Sequence, residues 1–430
     1  MFAYAGIILA VIAAAFILGR WLLNLNTELS IFLAALAGGI VHTRGIPLRH
    51  IVEGTFTYYD ICLIFISATV FINFLKEAGG ISFMVRSIIK NFHERRMLCL
   101  LFLTLVLLIP GALTGAGAAT VLTVGTLVGT VLSYMGISEK RSTAIIFLCA
   151  TMSAAAPPVN LWAMMTAAGA NMPYVGFMQP LLVLSVTGAL LSMFILGGKG
   201  KPVAVDKALE ELPTPPEEMN WFRVLLPFVV FFVLVLAGRI WPFSMPTLGL
   251  PLMFTIAAVV VLFISPRKIE VFNIIGKTLR SLIPLVGIMI VVGSLIQVMA
   301  ASGARGLISL GVVTLPLWFL FASLFIILPV TQGVFQYAVA PLIGVPLIFL
   351  FNMKGMNVII ALSAMSVMWP LGDGFPPTAV VGRAAVMELG FSGNYYKDFL
   401  KTALIPMLII LGICTIFLIF SNQFSFLIGG

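Results

Sequence analysis

Apolar runs of about 20 residues recur along the whole chain, and this feature limits the possible folds most strongly, since each run is long enough to cross a bilayer as one α-helix. Of the 430 residues, 61% are hydrophobic and 9% are charged. A soluble protein carries about 25% charged residues. The sequence therefore predicts an all-α polytopic membrane protein.

Several function classes lack their sequence signals. The net charge of +9 lies in loops, where it reports membrane orientation rather than nucleic-acid binding. There is no Walker motif, so ATP is not expected to be the direct energy source. The spans contain no Ser/His pair, paired aspartates or zinc-binding set, so we expect neither an enzyme nor a cofactor.

The first half of the predicted layout covers residues 1–197. Segment 80–96 has the pattern of a basic amphipathic helix lying in the membrane interface. Segment 97–110 is short for a crossing and leads into a glycine-rich tip, which indicates a re-entrant hairpin. The predicted elements are spans 2–23, 28–44 and 58–76, the hairpin 97–135, a broken helix 138–172 and a span 176–197.

A polar stretch at 198–220 is predicted to be an exposed cytoplasmic linker. The second half, 221–430, then repeats the plan. Its predicted elements are spans 221–240, 247–265 and 274–300, a short helix 302–315, the hairpin 317–352, a broken helix 356–390 and a span 399–420.

Landmark residues in the two halves share one spacing. Pro110 and Pro329 lie 219 residues apart, as do Pro157 and Pro376, and Gly136 and Gly355. Several landmarks in one register indicate an internal duplication.

Each half has five crossings, because a re-entrant hairpin does not cross. An odd number predicts that the second half is inverted relative to the first. Placing both termini outside leaves 19 of the 24 Lys and Arg residues on the cytoplasmic side, as the positive-inside rule requires. The five outward basic residues are Arg44, Arg49, Arg239, Arg305 and Lys354.

The two tips and the two breaks form the predicted binding site. A broken helix at mid-membrane exposes backbone groups that must line a protected polar cavity. Breaks at matching positions of an inverted repeat point to a transporter binding site. The alternative is that the small residues only let helices pack closely. The predicted substrate-binding residues are Thr114, Asn160, Gln332, Gln336, Thr378 and Arg383.

Two charged residues stand near the second break. Asp373 is the only carboxylate expected near mid-membrane, where it should be ion-bound, protonated or paired. Alternatively, it caps the helix predicted at 378–390. Arg383 could hold a substrate carboxylate or neutralise Asp373, or it could extend to the cytoplasmic surface.

The stretches GALTGAGAATVLTVG, from Gly111, and APPVNLWAMMTAAGANMPYVGFMQPLL, from Ala156, resemble the large membrane subunit of tripartite ATP-independent periplasmic (TRAP) transporters. The sequence is more loosely similar to the ion-transporter superfamily that includes divalent-anion/sodium symporters. The match is concentrated in residues 105–195. In contrast to the family's mostly uncharged pattern, the second half carries Gln332, Gln336 and Asp373.

The resemblance implies an elevator-type transporter that takes up a small carboxylate with Na⁺ as the coupling ion. It also implies a bacterial or archaeal cytoplasmic (inner) membrane location. A TRAP large subunit works with a small four-span membrane subunit and an extracytoplasmic solute-binding protein; a stand-alone relative would not. Carried over by position, with Asp373 added from its own chemistry, the Na⁺ contacts are Thr114, Gly115, Ser153, Thr331, Gly333, Gly372 and Asp373.

Two other transport functions remain open at this point. A cation/proton antiporter of the same superfamily would use Asp373 as the exchanged site. A channel is less favoured, because two inverted halves with hairpins suit alternating access and no ring of charges lines a pore.

Overall fold

The computed structural model describes residues 2–199, 205–241, 246 and 248–428, and within these residues it consists of helices and connecting turns. Part of the predicted linker therefore lies outside the described residues. So do the predicted start of the span at 247, the first residue and the last two residues.

The first half contains eleven α-helices, all within the described ranges. They are α1 (Phe2–Ile17), α2 (Thr27–Thr43), α3 (Leu48–Thr55), α4 (Tyr59–Glu77), α5 (Gly80–Phe92), α6 (Arg96–Thr114), α7 (Gly117–Thr120), α8 (Thr126–Tyr134), α9 (Glu139–Ala155), α10 (Leu161–Gly169) and α11 (Met178–Gly197). Short π-helical segments follow α1, at Leu18–Leu22, and precede α8, at Val121–Gly125.

A short helix, α12 (Val205–Glu211), lies in the linker. The described part of the second half contains α13 (Trp221–Ile240), α14 (Leu250–Ile264), α15 (Val271–Ala301), α16 (Ala304–Val313), α17 (Leu317–Phe335), α18 (Val345–Met353), α19 (Val358–Met368), α20 (Val380–Glu388) and α21 (Lys401–Ile419). The 3₁₀ segments are Gln336–Ala338, Trp369–Gly374 and Gln423–Ile428, and the π segments are Ala340–Gly344 and Tyr395–Leu400.

Asparagine side chains begin several of these helices. The Oδ1 atom of Asn160 accepts from the backbone N–H of Ala163 at 2.9 Å, and Asn357 accepts in the same way from Ile360 at 3.2 Å. Such caps satisfy backbone donors that a helix start leaves without a partner. Each cap therefore fixes the residue at which its helix begins, Leu161 for α10 and Val358 for α19.

The helix bounds repeat at the 219-residue spacing of the sequence landmarks. Segment Val121–Gly125 corresponds in this register to Ala340–Gly344, and both are π-helical. The helix after each segment also matches, α8 with α18, and α10 matches α20 at both ends. The spacing thus holds for whole elements, while the inversion of one half relative to the other stays a prediction.

Helices from the two halves of the chain pack against one another in two groups. The framework group contains α1–α4 and α13–α15, with α15 against α2, α3 and α4, and α14 against α4. The hairpin group contains α6–α11 and α17–α21, with α9 against α6 and α11, and α19 against α21. Each half therefore supplies its first helices to one group and its hairpin and broken helix to the other.

The first arm of each predicted hairpin is longer than expected. The predicted end at Pro110 is wrong, because α6 continues through that proline to Thr114 and has 19 residues. Likewise α17 continues through Pro329 to Phe335. Prolines are tolerated inside membrane helices where neighbouring groups satisfy the freed backbone.

Within the described residues, nine helices are long and apolar enough to cross a membrane. These include both arms of the first predicted hairpin, so length and composition alone do not separate a hairpin from two crossings. The predicted count of ten crossings and the orientation of the termini stay predictions.

The linker is less exposed than the sequence predicts. Ala208, Leu212 and Met219 are buried, and the Arg86 guanidinium of α5 donates to the carbonyl oxygens of Leu209 and Leu212, both at 2.7 Å. The apolar face of α5 is covered by protein, since α5 packs on α4 and α6. The linker is thus attached to the helical body.

Candidate functional site

A cavity of about 380 Å³ opens between the framework group and the hairpin group. The framework wall comes from α2, α4 and α15, and the opposite wall comes from the two hairpin tips and the second break. The polar and charged residues of the lining are Glu28, Thr69, Asn73, Lys76, Thr123, Ser281, Gln336, Tyr337 and Asp373. Its volume lies in the range of small-molecule sites, about 300–1,000 Å³.

In the first half, the hairpin crosses the broken helix with direct polar contacts. The hydroxyls of Thr120 and Ser153 lie 2.6 Å apart, and Thr120 Oγ1 also accepts from the N–H of Gly111 at 2.9 Å. The N–H of Val159 donates to the Ala112 carbonyl at 3.0 Å. A Cβ on Gly111 would collide with the Ser153 hydroxyl, so the crossing requires glycine there.

In the second half, the glycine at the matching crossing lies on the broken helix rather than on the hairpin. A Cβ on Gly372 would collide with the Pro329 carbonyl oxygen of α17. Beyond the break, Thr378 donates to the Gly333 carbonyl through its N–H at 3.1 Å and its hydroxyl at 2.8 Å. The hairpin and the break are thus joined by backbone as well as side chains.

A buried hydrogen-bond relay connects the two halves. The indole N–H of Trp162 on α10 donates to Gln332 Oε1 at 2.8 Å, and Gln332 Nε2 donates to Asp373 Oδ1, also at 2.8 Å. Trp162 and Gln332 are fully buried, and Asp373 is 3% exposed. Since Trp162 donates to the oxygen of the amide, it turns the amide NH₂ toward the aspartate.

The relay continues toward the first tip through an aromatic pair. The rings of Trp162 and Tyr337 lie 4.7 Å apart, and the Tyr337 hydroxyl reaches the Gly115 carbonyl at 3.5 Å. Tyr337 also lines the cavity. The two tips and the second break therefore form one connected wall.

Asp373 does not cap the helix that follows the break. That helix begins at Val380, and its N-cap position, Ala379, provides no side-chain hydrogen bond. Arg383 does not form an ion pair with Asp373 in the described structure. It is exposed and donates to the Pro377 carbonyl at 3.0 Å. Both the capping role and neutralisation by Arg383 are therefore wrong for this structure.

Of the predicted site residues, Gln336 and Asp373 line the cavity. Asn160 and Ser153 are buried in contacts of the first broken helix, and both hydrogen-bonding ends of the Asn160 amide are engaged. Thr114 bonds back to the Pro110 carbonyl at 2.8 Å, with Gly115 ending the helix at φ 70°.

The second hairpin tip, predicted at residues 330–338, begins later than expected. Thr331, Gln332 and Gly333 belong to α17, and Thr331 bonds back to the Ile327 carbonyl. The chain leaves the helix at Gln336, whose φ is 52°. The Gly333 carbonyl accepts from Thr378, and the predicted contacts of Thr331 and Gly333 with an ion stay predictions.

Three polar residues of the framework wall were missed by sequence reasoning. Lys76 donates to the Leu122 carbonyl at 2.8 Å, and Asn73 donates to the Thr278 hydroxyl, also at 2.8 Å. Glu28, in the first turn of α2, is a second carboxylate in the lining. Their positions at or near span ends resemble those of ordinary loop charges, so only the spacing of Asn73 and Lys76 on one helix face offered a signal.

No protein-family profile matches this chain, and a search of curated proteins gives no match. Among solved structures, the chain is similar to MtrF of Neisseria gonorrhoeae, which is described within a class of antimetabolite efflux pumps. The TM-score is 0.61 and the identity 15%, covering 86% of this chain and 83% of MtrF.

The chain is also similar to the YdaH transporter of Alcanivorax borkumensis, whose topology is described as unusual. The TM-score is 0.60 and the identity 13%, covering 88% of this chain and 89% of YdaH. At these identities the likeness shows the fold. The resemblance to a TRAP large subunit is not confirmed. The prediction of a multi-pass membrane fold is supported by the long apolar helices and by the likeness to these two structures.

Proposed function

We propose that this protein is a secondary active transporter that couples the movement of a small organic anion to a cation, with Na⁺ as the first candidate. The observation that carries the proposal is the shared cavity, where Lys76 from the framework group and Asp373 from the hairpin group line one space. A transporter needs such a site between two bodies that move relative to each other.

Asp373 is the proposed cation residue. It is buried inside the membrane part of the chain, and the hydrogen bond that it receives from the described residues comes from a neutral amide. A carboxylate at this depth costs about 3 kcal/mol or more unless a cation or proton compensates it. The relay from Trp162 orients the donor of that bond, so it fixes the carboxylate for the incoming cation.

Lys76 is the proposed anchor for the substrate. Its ammonium group is exposed, and its hydrogen bond to the Leu122 carbonyl uses one of three donors. Asn73, Thr69 and Ser281 add neutral polar groups on the same wall. A carboxylate fits this combination, and the cavity volume limits it to a small molecule such as a dicarboxylate.

The packing groups suggest how access would alternate. The hairpin group holds both breaks and both tips, while the framework group supplies the opposite wall. Movement of the hairpin group as one body against the framework would carry the site across the membrane, which is the elevator mechanism. The direct crossings at Gly111 and Gly372 would keep hairpin and break together during this movement.

Export is a second candidate for the direction of transport. The similarity to MtrF favours it, because that protein is described as one of a class of efflux pumps. The site chemistry is the same for either direction, so the ion gradient and the orientation in the membrane decide it.

The test is transport by the purified chain in proteoliposomes. Labelled succinate is offered under an inward Na⁺ gradient, an inward proton gradient, or neither, with the substrate on either side. We expect Na⁺-dependent transport that Asp373→Asn abolishes or uncouples. Asp206→Asn, which changes an exposed residue of the linker helix, should leave transport unchanged. Na⁺ flux driven by pH alone, without any effect of succinate or related anions, would establish the antiporter instead.

Partner proteins enter the same assay. If the chain acts as a TRAP large subunit, transport requires a small four-span membrane subunit and a solute-binding protein. Transport by the chain alone would support a stand-alone carrier.

A further inference from the structure

An apolar groove of about 440 Å³ runs along α1 and shares no lining residue with the proposed transport cavity. Its floor comes from α2 and α15, where Ile31 and Leu295 are buried. Helix α1 and the π segment after it contribute one stripe of side chains, spaced as on a single helix face. The stripe consists of Leu9, Ile12, Ala13, Phe16, Ile17 and Arg20.

The groove opens on the surface of the protein. Ala13 is exposed, and Ile17 and Trp21, which also line the groove, are 48% and 76% exposed. Helix α1 with its π segment is one of the helices that are long and apolar enough to cross a membrane. In a bilayer, lipid chains rather than water would therefore meet this opening.

Arg20 stands at one end of the stripe and is the one charged residue among the described residues of the lining. Its guanidinium donates to the Leu25 carbonyl at 3.0 Å, which uses one of its five N–H donors. It forms no ion pair with a carboxylate of the described chain. A guanidinium binds phosphate bidentately, and a tryptophan such as the neighbouring Trp21 is typical of the membrane–water interface.

The length of the groove matches one leaflet of a bilayer. Leu9 and Arg20 are 11 positions apart, which is about 16 Å along a helix. The hydrocarbon core of a bilayer is about 30 Å thick, so one leaflet contributes about 15 Å. A membrane-spanning helix from a second copy of the chain would need about twice the length of this groove.

We propose that the groove binds one acyl chain of an anionic phospholipid, with the phosphate of the headgroup on Arg20. The apolar stripe would cover the chain from the headgroup to the middle of the bilayer. Among the described lining residues there is no carboxylate that could pair with the ammonium group of a zwitterionic headgroup. The charge of the groove therefore favours an anionic headgroup such as phosphatidylglycerol.

A lipid chain in this position would lie between the two packing groups. The wall opposite α1 belongs to the hairpin group and includes Val334, Phe335 and Pro377. The rings of Phe16 and Phe335 lie 5.1 Å apart across this boundary. The lipid would thus contact both bodies that move in the proposed elevator mechanism. This consequence depends on the proposed transport function, whereas lipid binding does not.

Photo-crosslinking tests where the acyl chain lies. The purified full chain is placed in phosphatidylcholine nanodiscs that contain phosphatidylglycerol with a diazirine on one acyl chain, and labelled peptides are identified by mass spectrometry. We expect labels on the groove residues of α1 and α17. Ala13→Trp should fill the groove from an exposed position and reduce these labels about tenfold. Ala14→Trp is the matched control, because Ala14 is the next exposed residue of α1 and lies outside the lining.

Native mass spectrometry tests the headgroup contact. We expect Arg20→Gln to raise the Kd of phosphatidylglycerol about tenfold, which corresponds to the loss of one charge-assisted hydrogen bond. Arg141→Gln is the control, because Arg141 is an exposed arginine outside the groove. Size-exclusion chromatography verifies that each variant remains folded.

Three results would overturn the proposal. Equal labelling of the groove in Ala13→Trp and Ala14→Trp would show that the acyl chain does not occupy it. A Kd that Arg20→Gln leaves unchanged would reduce the lipid to an unspecific neighbour of the protein. Crosslinks that join two copies of the chain through α1, without lipid labels in the groove, would assign this face to a dimer. The proposed transport function would survive each of these results, because Asp373 and Lys76 do not line the groove.

Discussion

Replacing Gln332 by leucine tests the buried relay directly. The two side chains have similar volumes, so the change mainly removes hydrogen bonds. It deprives Asp373 of its amide donor and Trp162 of its acceptor, and all three residues are buried. We expect the variant to insert but to be less stable.

The size of the loss follows from the two groups that are left without partners. A buried donor without an acceptor costs about 1–3 kcal/mol, and a charged group costs more. Burying leucine instead of an amide recovers part of this, so we expect a net loss of about 2–5 kcal/mol. An ordinary hydrogen bond between membrane helices contributes only about 0.6 kcal/mol, so the relay should be distinguishable from a simple contact.

The assay is reversible unfolding in mixed micelles titrated with SDS, followed by tryptophan fluorescence. Gln297→Leu is the matched control, because Gln297 donates to Glu53 at 3.3 Å in an exposed position. Its loss should change the free energy of unfolding by no more than about 0.5 kcal/mol. Asp373→Asn in the Gln332→Leu background should recover part of the stability, because it removes the uncompensated charge.

Two results would refute this reasoning. The first is a Gln332→Leu loss no larger than that of Gln297→Leu. The second is full additivity of Gln332→Leu and Asp373→Asn, since residues in one network should show a coupling of about 0.5–3 kcal/mol.

Three further predictions concern the substrate wall, the second crossing and the topology. Lys76→Gln should raise the KM for an anionic substrate about tenfold in proteoliposomes. Lys90→Gln is the exposed control, and an unchanged KM in Lys76→Gln would show that Lys76 does not belong to the substrate site. Gly372→Ala should destabilise the protein by about 3 kcal/mol or more, because the new methyl group meets the Pro329 backbone. The control Gly238→Ala meets open space and should be neutral, so equal SDS unfolding midpoints for the two variants would contradict this prediction. Reporter fusions should place the linker in the cytoplasm and both termini outside, and a cytoplasmic C-terminus would refute the ten-crossing topology.

Much of the fold follows from local signals in the sequence. The apolar runs predict most spans to within a few residues, as with the helix that was predicted at 221–240 and begins and ends there. The exceptions are the interior prolines Pro110 and Pro329, where the chain stays helical. Proline is tolerated inside a membrane helix where neighbouring groups satisfy the freed backbone. A local rule for proline does not include those neighbours.

The site was less accessible to sequence reasoning. Asp373 stood out because a charge in an apolar segment is expensive, and it does line the cavity. The bond between Trp162 and Gln332 joins residues 170 positions apart, which no local pattern predicts. Lys76 and Glu28 were missed because near the end of a span a charge that faces a cavity looks the same as one that faces water.

The two matched breaks differ by one charge, and this difference has an electrical consequence. Asp373 corresponds to Ala154 in the 219-residue register, so only one half carries a carboxylate at this position. If the hairpin group moves without its cation, it moves one negative charge through the field, at about 2.3 kcal/mol per 100 mV for a full crossing. The return of the empty carrier would then depend on voltage, and capacitive currents on a solid-supported membrane should disappear in Asp373→Asn. Persistence of these currents in the variant would assign the moving charge to another residue.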